Sequence, residues 1–561
     1  MLSTGHKFWM THVRPTGTDL ALSVFLATAA MGVWTAYDRP GAWARFLMVL
    51  AGIALALVLA RTPARRLSDV ADAAGALGAG LALVFLLTVS FGNSTAEPSL
   101  TKNLVEWWPA DAPSMALPPL APDRVAGLLA VLGPLCLVSA ILSFRRRAVG
   151  RWLVAGSLTL VILGLLATGS RAAWMALLAG VGGEACAGLW RRSALLRGVG
   201  RIALVLASIL MAVLAWGAIR GVEDSGLGRL AELLASPDGV SRLRLVRDTL
   251  DLIGDFPFTG AGLGSFPGLY SRYILAIPQP YLDHAHNLYL TIALSQGALA
   301  LLAFAALLLG GLARSARGVA RENGSSDRAL LQRAAFAGLI VLAVYGLVDD
   351  PLESGVGSTL LFLYPAMTLS LQQGVPPVQA GAMDREERRG RRMRIALVVG
   401  AALLGLFLVL PSTRSAWHAN LGALEMARQE LDAWPADALL ATEAARHSET
   451  IDGHLARALA LNSGSRTALH RIGLLEGAQG DWDAAIAVLE GARRVDPTHR
   501  GIRKLLGYAY IWNGDLEVAE ETLASIPEAR SEMEFYTWWW AEHGGAAQAQ
   551  RAREMHALLE P

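Results

Sequence analysis

Over roughly the first three quarters of the chain, apolar residues come in blocks of about 20 with almost no charge, the length that crosses a bilayer as a helix. The blocks fall at 19–37, 42–60, 69–91, 124–144, 151–168, 172–190, 201–219, 287–312, 334–348, 356–371 and 395–411, and predict eleven membrane-spanning helices. Arginines crowd every second connection. They are Arg61, Arg65 and Arg66; Arg145, Arg146, Arg147 and Arg151; Arg191, Arg192 and Arg197; Arg314, Arg317, Arg321 and Arg328; and a run from Arg385 to Arg394. Alternate connections share one side, and the arginine-rich side faces the cytoplasm. The N-terminus is then cytoplasmic and the C-terminus lies outside. The first block follows Lys7 and Arg14 and lacks a small-residue cleavage site, so it reads as an uncleaved span.

Two outer loops are long. The first, 92–123, is rich in proline and carries Trp107 and Trp108; the second, 220–286, carries Arg220, Arg229, Arg242, Arg244, Arg247 and Arg272. Long loops translocate largely regardless of charge. The arginines are either solvated faces with local ion pairs, or an anion site at the outer surface.

Beyond residue 412 the pattern becomes soluble, Ala-rich helix, and it repeats. Gly480-Asp481-Trp482 recurs as Gly514-Asp515-Leu516, Gly473 as Gly507, Ala485 as Ala519 and Leu489 as Leu523, an offset of 34 residues each time. That is the tetratricopeptide period, and Pro497 falls at the break between units. The expected organisation is a membrane domain over 1–412 and an extracytoplasmic helical array over 413–561. Such arrays present a concave surface to partners; the alternative is a brace for the membrane domain.

Composition narrows the classes. The 561 residues are 53% hydrophobic and 17% charged, below the roughly 25% charged of soluble domains, which excludes a soluble enzyme and a disordered chain. A formal charge of +2 gives no nucleic-acid signal. Cys136 and Cys186 lie inside apolar blocks, as buried thiols would, and provide neither a disulfide framework nor a zinc site.

Four stretches on the outer side could carry chemistry. Ser170-Arg171-Ala172-Ala173-Trp174 places a charge at a membrane boundary, where it snorkels, pairs or binds something. Arg242, Arg244 and Arg247 have helical spacing and precede a glycine-rich turn, Pro257 to Phe266, that reads as a tight turn more readily than as a phosphate cradle. Asp283-His284-Ala285-His286-Asn287 runs into the eighth block. Its histidines are metal ligands, incidental members of a helix cap, or a general base, which suits histidine because it titrates near neutrality. Asp349, Asp350 and Glu353 follow the ninth block, to pair with arginines or to orient a hydroxyl.

In order and spacing these stretches resemble the O-antigen ligase and polymerase superfamily. Its Ser-Arg-x-x-Trp stretch matches Ser170 to Trp174. Its arginine-led helix before a Pro-x-x-Gly-x-Gly-x-x-x-Phe turn matches Arg242 and Pro257 to Phe266, and its His-Asn-x-x-Leu stretch matches His286 to Leu290. The resemblance is tight over about 155–300. It implies an all-α, GT-C-like membrane glycosyltransferase of the bacterial cytoplasmic membrane that needs no metal and no cofactor. The donor would be a glycan on undecaprenyl diphosphate and the acceptor a hydroxyl of a lipid, glycan or protein. His286 would be catalytic. Arg171, Arg242 and, in the second rank, Arg244 would bind the donor diphosphate. Apart from the resemblance, Asp283, His284, Asp349 and Asp350 are candidates for an acceptor or supporting role, and His284 has no clear counterpart in the family. Where the family often carries an Asn-rich stretch, this chain has Pro122-Asp123-Arg124. The preferred reading is a ligase, with a polymerase of the same chemistry as the alternative. A polysaccharide transporter and a membrane-anchored assembly scaffold are readings of other classes. The spans hold little charge and show no half-to-half repeat, which weighs against transport.

Overall fold

The computed structural model describes residues 17–88, 120–192, 242–276, 282–322, 326–350, 355–373, 405, 409–432, 434 and 447–559, and every regular element among them is helical. The membrane part begins with α1 (Gly17–Thr35), α2 (Arg39–Arg61), α3 (Leu67–Thr88), α4 (Pro122–Arg145), α5 (Arg151–Thr168) and α6 (Arg171–Arg192). After the outer segment, α7 (Arg242–Asp255) and α8 (Phe266–Tyr270), come α9 (Leu288–Gln296), α10 (Ala298–Arg321), α11 (Asp327–Tyr345) and α12 (Leu363–Ser370). Seven of the described helices are long and apolar enough to cross a membrane: α1, α2, α3 with its lead-in turn, α4, α5, α10 and α11. The block at 201–219, most of the block at 395–411, most of the loop at 92–123, residues 220–241 of the second loop and Glu353 lie outside the described residues.

Two predicted spans are broken. The block at 287–312 is split at Gly297, whose φ of +83° is open chiefly to glycine. A Cβ there would stand 2.5 Å from the Phe258 carbonyl oxygen, and Ala298 N–H donates to Pro257 instead of continuing α9. The block at 356–371 is a tight turn of helix, Gly355–Leu360, followed by the eight residues of α12. Pro365 sits in the first turn of α12, where its missing N–H does no harm but where a continuous helix would have needed it. Apolar content alone cannot see either break.

Helix α4 is the centre of the bundle. Ala126, Leu129, Ala130 and Leu135 are fully buried, and the helix packs on α3, α5 and α11. Small residues let helices approach closely: a Cβ on Gly338 would stand 2.0 Å from the Tyr364 ring. The basic helix ends gather at one end, where Arg146 pairs with Asp327 at 2.7 Å, Arg328 donates to the Leu371 carbonyl and Ser370 to that of Thr62. The histidine segment and the C-terminal helices occupy the other end.

Those C-terminal helices form four hairpins: α13 (Pro411–Leu431) with α14 (Glu449–Leu461), α15 (Arg466–Ala478) with α16 (Trp482–Val495), α17 (Arg500–Asn513) with α18 (Leu516–Leu523), and α19 (Ala529–Glu542) with α20 (Ala546–Leu558). The 34-residue offset is visible in three dimensions. A Cβ on Gly473 would meet Leu489 Cγ at 2.5 Å, and one on Gly507 would meet Leu523 Cγ at 2.5 Å. One apolar core runs from Tyr37 through Leu252, Tyr270 and Ala285 to Ala423 and Leu475, so the outer segment and the first hairpins bury each other.

Substitution Gly507→Ala should lower stability by about 1–3 kcal/mol through overpacking. Gly453→Ala, facing open space on α14, should raise it by about 0.5–1 kcal/mol, because a glycine leaves a helix interior. Thermal unfolding of the two purified variants checks the opposite signs.

Candidate active site

The site is built where the start of α9 meets the end of α11. Asn287 caps α9, its side-chain oxygen accepting from Tyr289 and Leu290 N–H at 3.0 and 3.1 Å. Its side-chain amide donates to the Leu347 carbonyl at 2.9 Å, and Leu288 N–H donates to Gly346 at 2.8 Å. These bonds fix the residues before the cap against the turn that leaves α11. His286, directly before the cap, has φ +49°, a left-handed conformation that costs a non-glycine residue about 1 kcal/mol or more. Its surroundings hold it there.

The side chains converge on Asp349. His286 Nδ1 lies 3.3 Å from Asp349 Oδ1, and His284 Nε2 lies 3.6 Å from both Asp349 Oδ1 and Asp350 Oδ1. Tyr345 donates to Asp349 Oδ2 at 3.2 Å, and Asp350 N–H donates to Asp349 Oδ1 at 2.9 Å. Thr291 donates to Asp350. The carboxylates are buried, whereas the His286 and His284 side chains stay 20% and 30% exposed. Burial works against a charged Asp349, but the two histidines outweigh it and hold the carboxyl well below the usual range. Burial likewise opposes a charged His284, and Asp349 and Asp350 reverse that and raise its pKa. For Asp350 burial prevails and pushes the carboxyl up, with His284 and Thr291 only partly opposing it.

With Nδ1 turned to Asp349, His286 has no hydrogen-bond partner for Nε2 among the described residues. A carboxylate on Nδ1 favours the tautomer with its proton there, which leaves Nε2 free to accept one. One ring nitrogen each of His284 and His286 and one oxygen of Asp349 lie within 4.8 Å of one another, a spacing that could also bracket a cation. Asp349 Oδ1 also accepts from Asp350 N–H and Oδ2 from Tyr345.

The arginines sort by neighbour. Arg242, the first residue of α7, donates to the Val348 carbonyl at 3.0 Å, one residue before Asp349. Arg171 is exposed at the start of α6, and Ser170 before it meets the Tyr345 hydroxyl. Arg244 has Asp248 as its electrostatic neighbour, and Asp283 is exposed; among the described residues neither contacts the histidine cluster. Arg272 is buried in an ion pair with Glu430, the local pairing that was one of the two readings of these arginines. The glycine turn is structural. Ala261, Gly262 and Leu263 N–H donate to the carbonyls of Leu294, Ser295 and Gly32, so these amides do not point at a ligand.

Sequence reasoning passed over Tyr345 and Thr291, which give the carboxylates their hydroxyl donors, and left Asp123 and Arg124 without a role. The structure puts Arg124 in electrostatic reach of His284, and Asp123 in reach of Asp349 and Arg242. Their position at the end of a span, as for Arg171, is the signal that would have marked them.

Residues 156–305 match the family model described as O-antigen ligase. The match takes in Arg171, Arg242, the glycine turn and His286, nearly the same stretch as the sequence resemblance. Residues 478–532 match a tetratricopeptide-repeat model, in agreement with the 34-residue period. Neither the curated proteins nor the solved structures yielded a match. The first match supports a membrane glycosyltransferase of the O-antigen ligase and polymerase type.

The raised pKa of His284 gives stability that is present below its unfolded value, near 6.5, and is lost as pH rises through the folded value. The lowered pKa of Asp349 gives stability that is present above about 4 and is lost only as pH falls toward its depressed value. Asp349→Asn should therefore cost most between about pH 4.5 and 6.5, about 2 kcal/mol for hydrogen bonds to a charged group. The deficit should shrink in alkaline buffer. Thermal unfolding of wild type and variant across that range measures it.

Proposed function

We propose that this chain moves a glycan from undecaprenyl diphosphate to an acceptor hydroxyl at the outer face of the bacterial cytoplasmic membrane, as an O-antigen ligase does. The observation that carries the reading is the His286–Asp349 pair, in which His286 lies inside the stretch that matches the O-antigen ligase model, is 20% exposed and has no hydrogen-bond partner for Nε2 among the described residues. The sidedness rests on the basic helix ends. They lie opposite the histidine site, and placing them in the cytoplasm puts the site and the helical array outside.

The chemistry then follows. An acceptor hydroxyl attacks the anomeric carbon and its proton passes to His286 Nε2. The new glycosidic bond forms as the bond from that carbon to the phosphate oxygen breaks, and the electron pair leaves with the lipid diphosphate. Asp349 stabilises the imidazolium that results. The departing diphosphate gathers negative charge, which guanidinium forks neutralise in two-pronged fashion. Arg242, which is held against Val348, and Arg171, which is exposed at the head of α6, would take that task. Arg124 adds positive potential beside His284. A polymerase joining lipid-linked repeat units would use the same atoms and differ only in its acceptor.

In cells carrying His286→Ala, expressed and inserted normally, transfer should fall by about 10²–10⁴-fold, the usual contribution of a general base. Separating lipid-diphosphate-linked glycan from finished surface polysaccharide reads the result. Long polymer stranded on the carrier lipid is the ligase outcome, and single stranded repeat units are the polymerase outcome. An unchanged profile removes His286 from the reaction. Chelation of divalent ions should leave transfer by the purified wild-type protein unchanged, and a loss restored by added metal would make the His284–His286–Asp349 cluster a cation site.

A further inference from the structure

The first helices of all four hairpins face one short stretch of the same chain. Glu430 of α13 takes Arg272 in a two-pronged pair at 3.0 and 3.1 Å and accepts from the Tyr273 hydroxyl at 2.8 Å. Arg471 of α15 lies 3.3 Å over the Tyr273 ring and reaches Asp255 at 2.9 Å. Gly501 of α17 lies so close that a Cβ would stand 1.9 Å from the Tyr273 carbonyl oxygen. Tyr536 of α19 donates to the Ala276 carbonyl at 3.2 Å. In a helical array the face lined by successive repeats is the one that receives partners. Here that face is filled by residues 255–276, the stretch that separates Arg242 from the histidines.

We propose that the inner face of the array is a dock for the chain's own site-bearing segment, and that the array is a positioning element of the active centre. Both ends of the docked stretch lead to the site. Upstream, α7 presents Asp248 and Asp255 to the array and carries Arg242 at its first residue. Downstream, Ala276 is followed within a few residues by His284 and His286. A slip along the groove would move the arginine and the histidines together.

The chemistry of the contact suits registration. Buried ion pairs add little stability over well-packed apolar residues, and their best-attested use is to specify one arrangement among several. Asp255 and Arg471 are 1% and 0% exposed, and Asp255 also accepts from Arg466 and Thr467. A register shift would leave these charges buried and unpaired. Gly501 adds a steric key, because any side chain at that position collides with the backbone of the docked turn.

The positioning role rests on the transfer reading, whereas the docking itself does not. Hydrogen–deuterium exchange and transfer kinetics on the full-length protein in lipid nanodiscs separate the two. The variants are Gly501→Ala on the array, Tyr273→Ala on the docked turn, and Gly453→Ala, which faces open space, as control. Both test variants should speed exchange over 255–290 by about tenfold or more while the array helices stay protected. They should lower kcat by up to about 10²-fold with little change in KM, since a displacement near 1 Å has that effect on a positioned group. The control should match wild type. Unchanged exchange in both test variants overturns the dock. Faster exchange with full activity overturns the positioning role. Faster exchange in a protein whose wild type transfers no glycan upholds the dock and overturns the transfer reading.

Discussion

A buried carboxylate must have its charge answered, and at Asp349 the answer organises the site. Burial alone pushes its pKa up; two imidazoles more than offset that, and a tyrosine hydroxyl and a backbone N–H add hydrogen bonds. Meeting that demand brings the residues before α9 against the turn after α11, forces His286 into a left-handed backbone and turns its Nδ1 inward. Which ring nitrogen is left without a partner among the described residues is therefore set by an interaction beneath it. The donors come from the segment leading into α9, from the end of α11 and from the turn after it, so the bundle must be assembled before the site exists.

A second tier of buried charge sets where that segment lies. Asp248, Asp255 and Glu430 are nearly inaccessible, and each is matched by an arginine from the facing element. These pairs join the segment between α6 and α9 to the helical array through a common apolar core. The repeats thus have a structural task within the chain, in addition to any partner met by their outer faces.

Much of this was legible in sequence. The first five spans, the 34-residue period and the stretches that carry Arg171, Arg242 and His286 are written in apolar block length, small-residue spacing and the placing of charges at span ends. The breaks at Gly297 and ahead of α12 were not, because glycine and a proline in a first turn leave hydropathy unchanged while a distant segment decides the backbone. Nor could spacing tell Arg272, bound to Glu430 some 158 residues away, from Arg242 beside Asp349. Tyr345 was hidden for a related reason: at the end of an apolar helix it looks like packing, and its role appears only once Asp349 is seen below its hydroxyl.

The central claim is that Asp349 and His286 act as one unit on the acceptor. A double-mutant cycle on the transfer rate of the purified protein tests it, with Asp349→Asn, His286→Ala and the pair together. Residues that act as a unit are strongly non-additive, so the double variant should be no slower than the worse single one. Losses that multiply across the two positions would show two independent contributions and contradict the account.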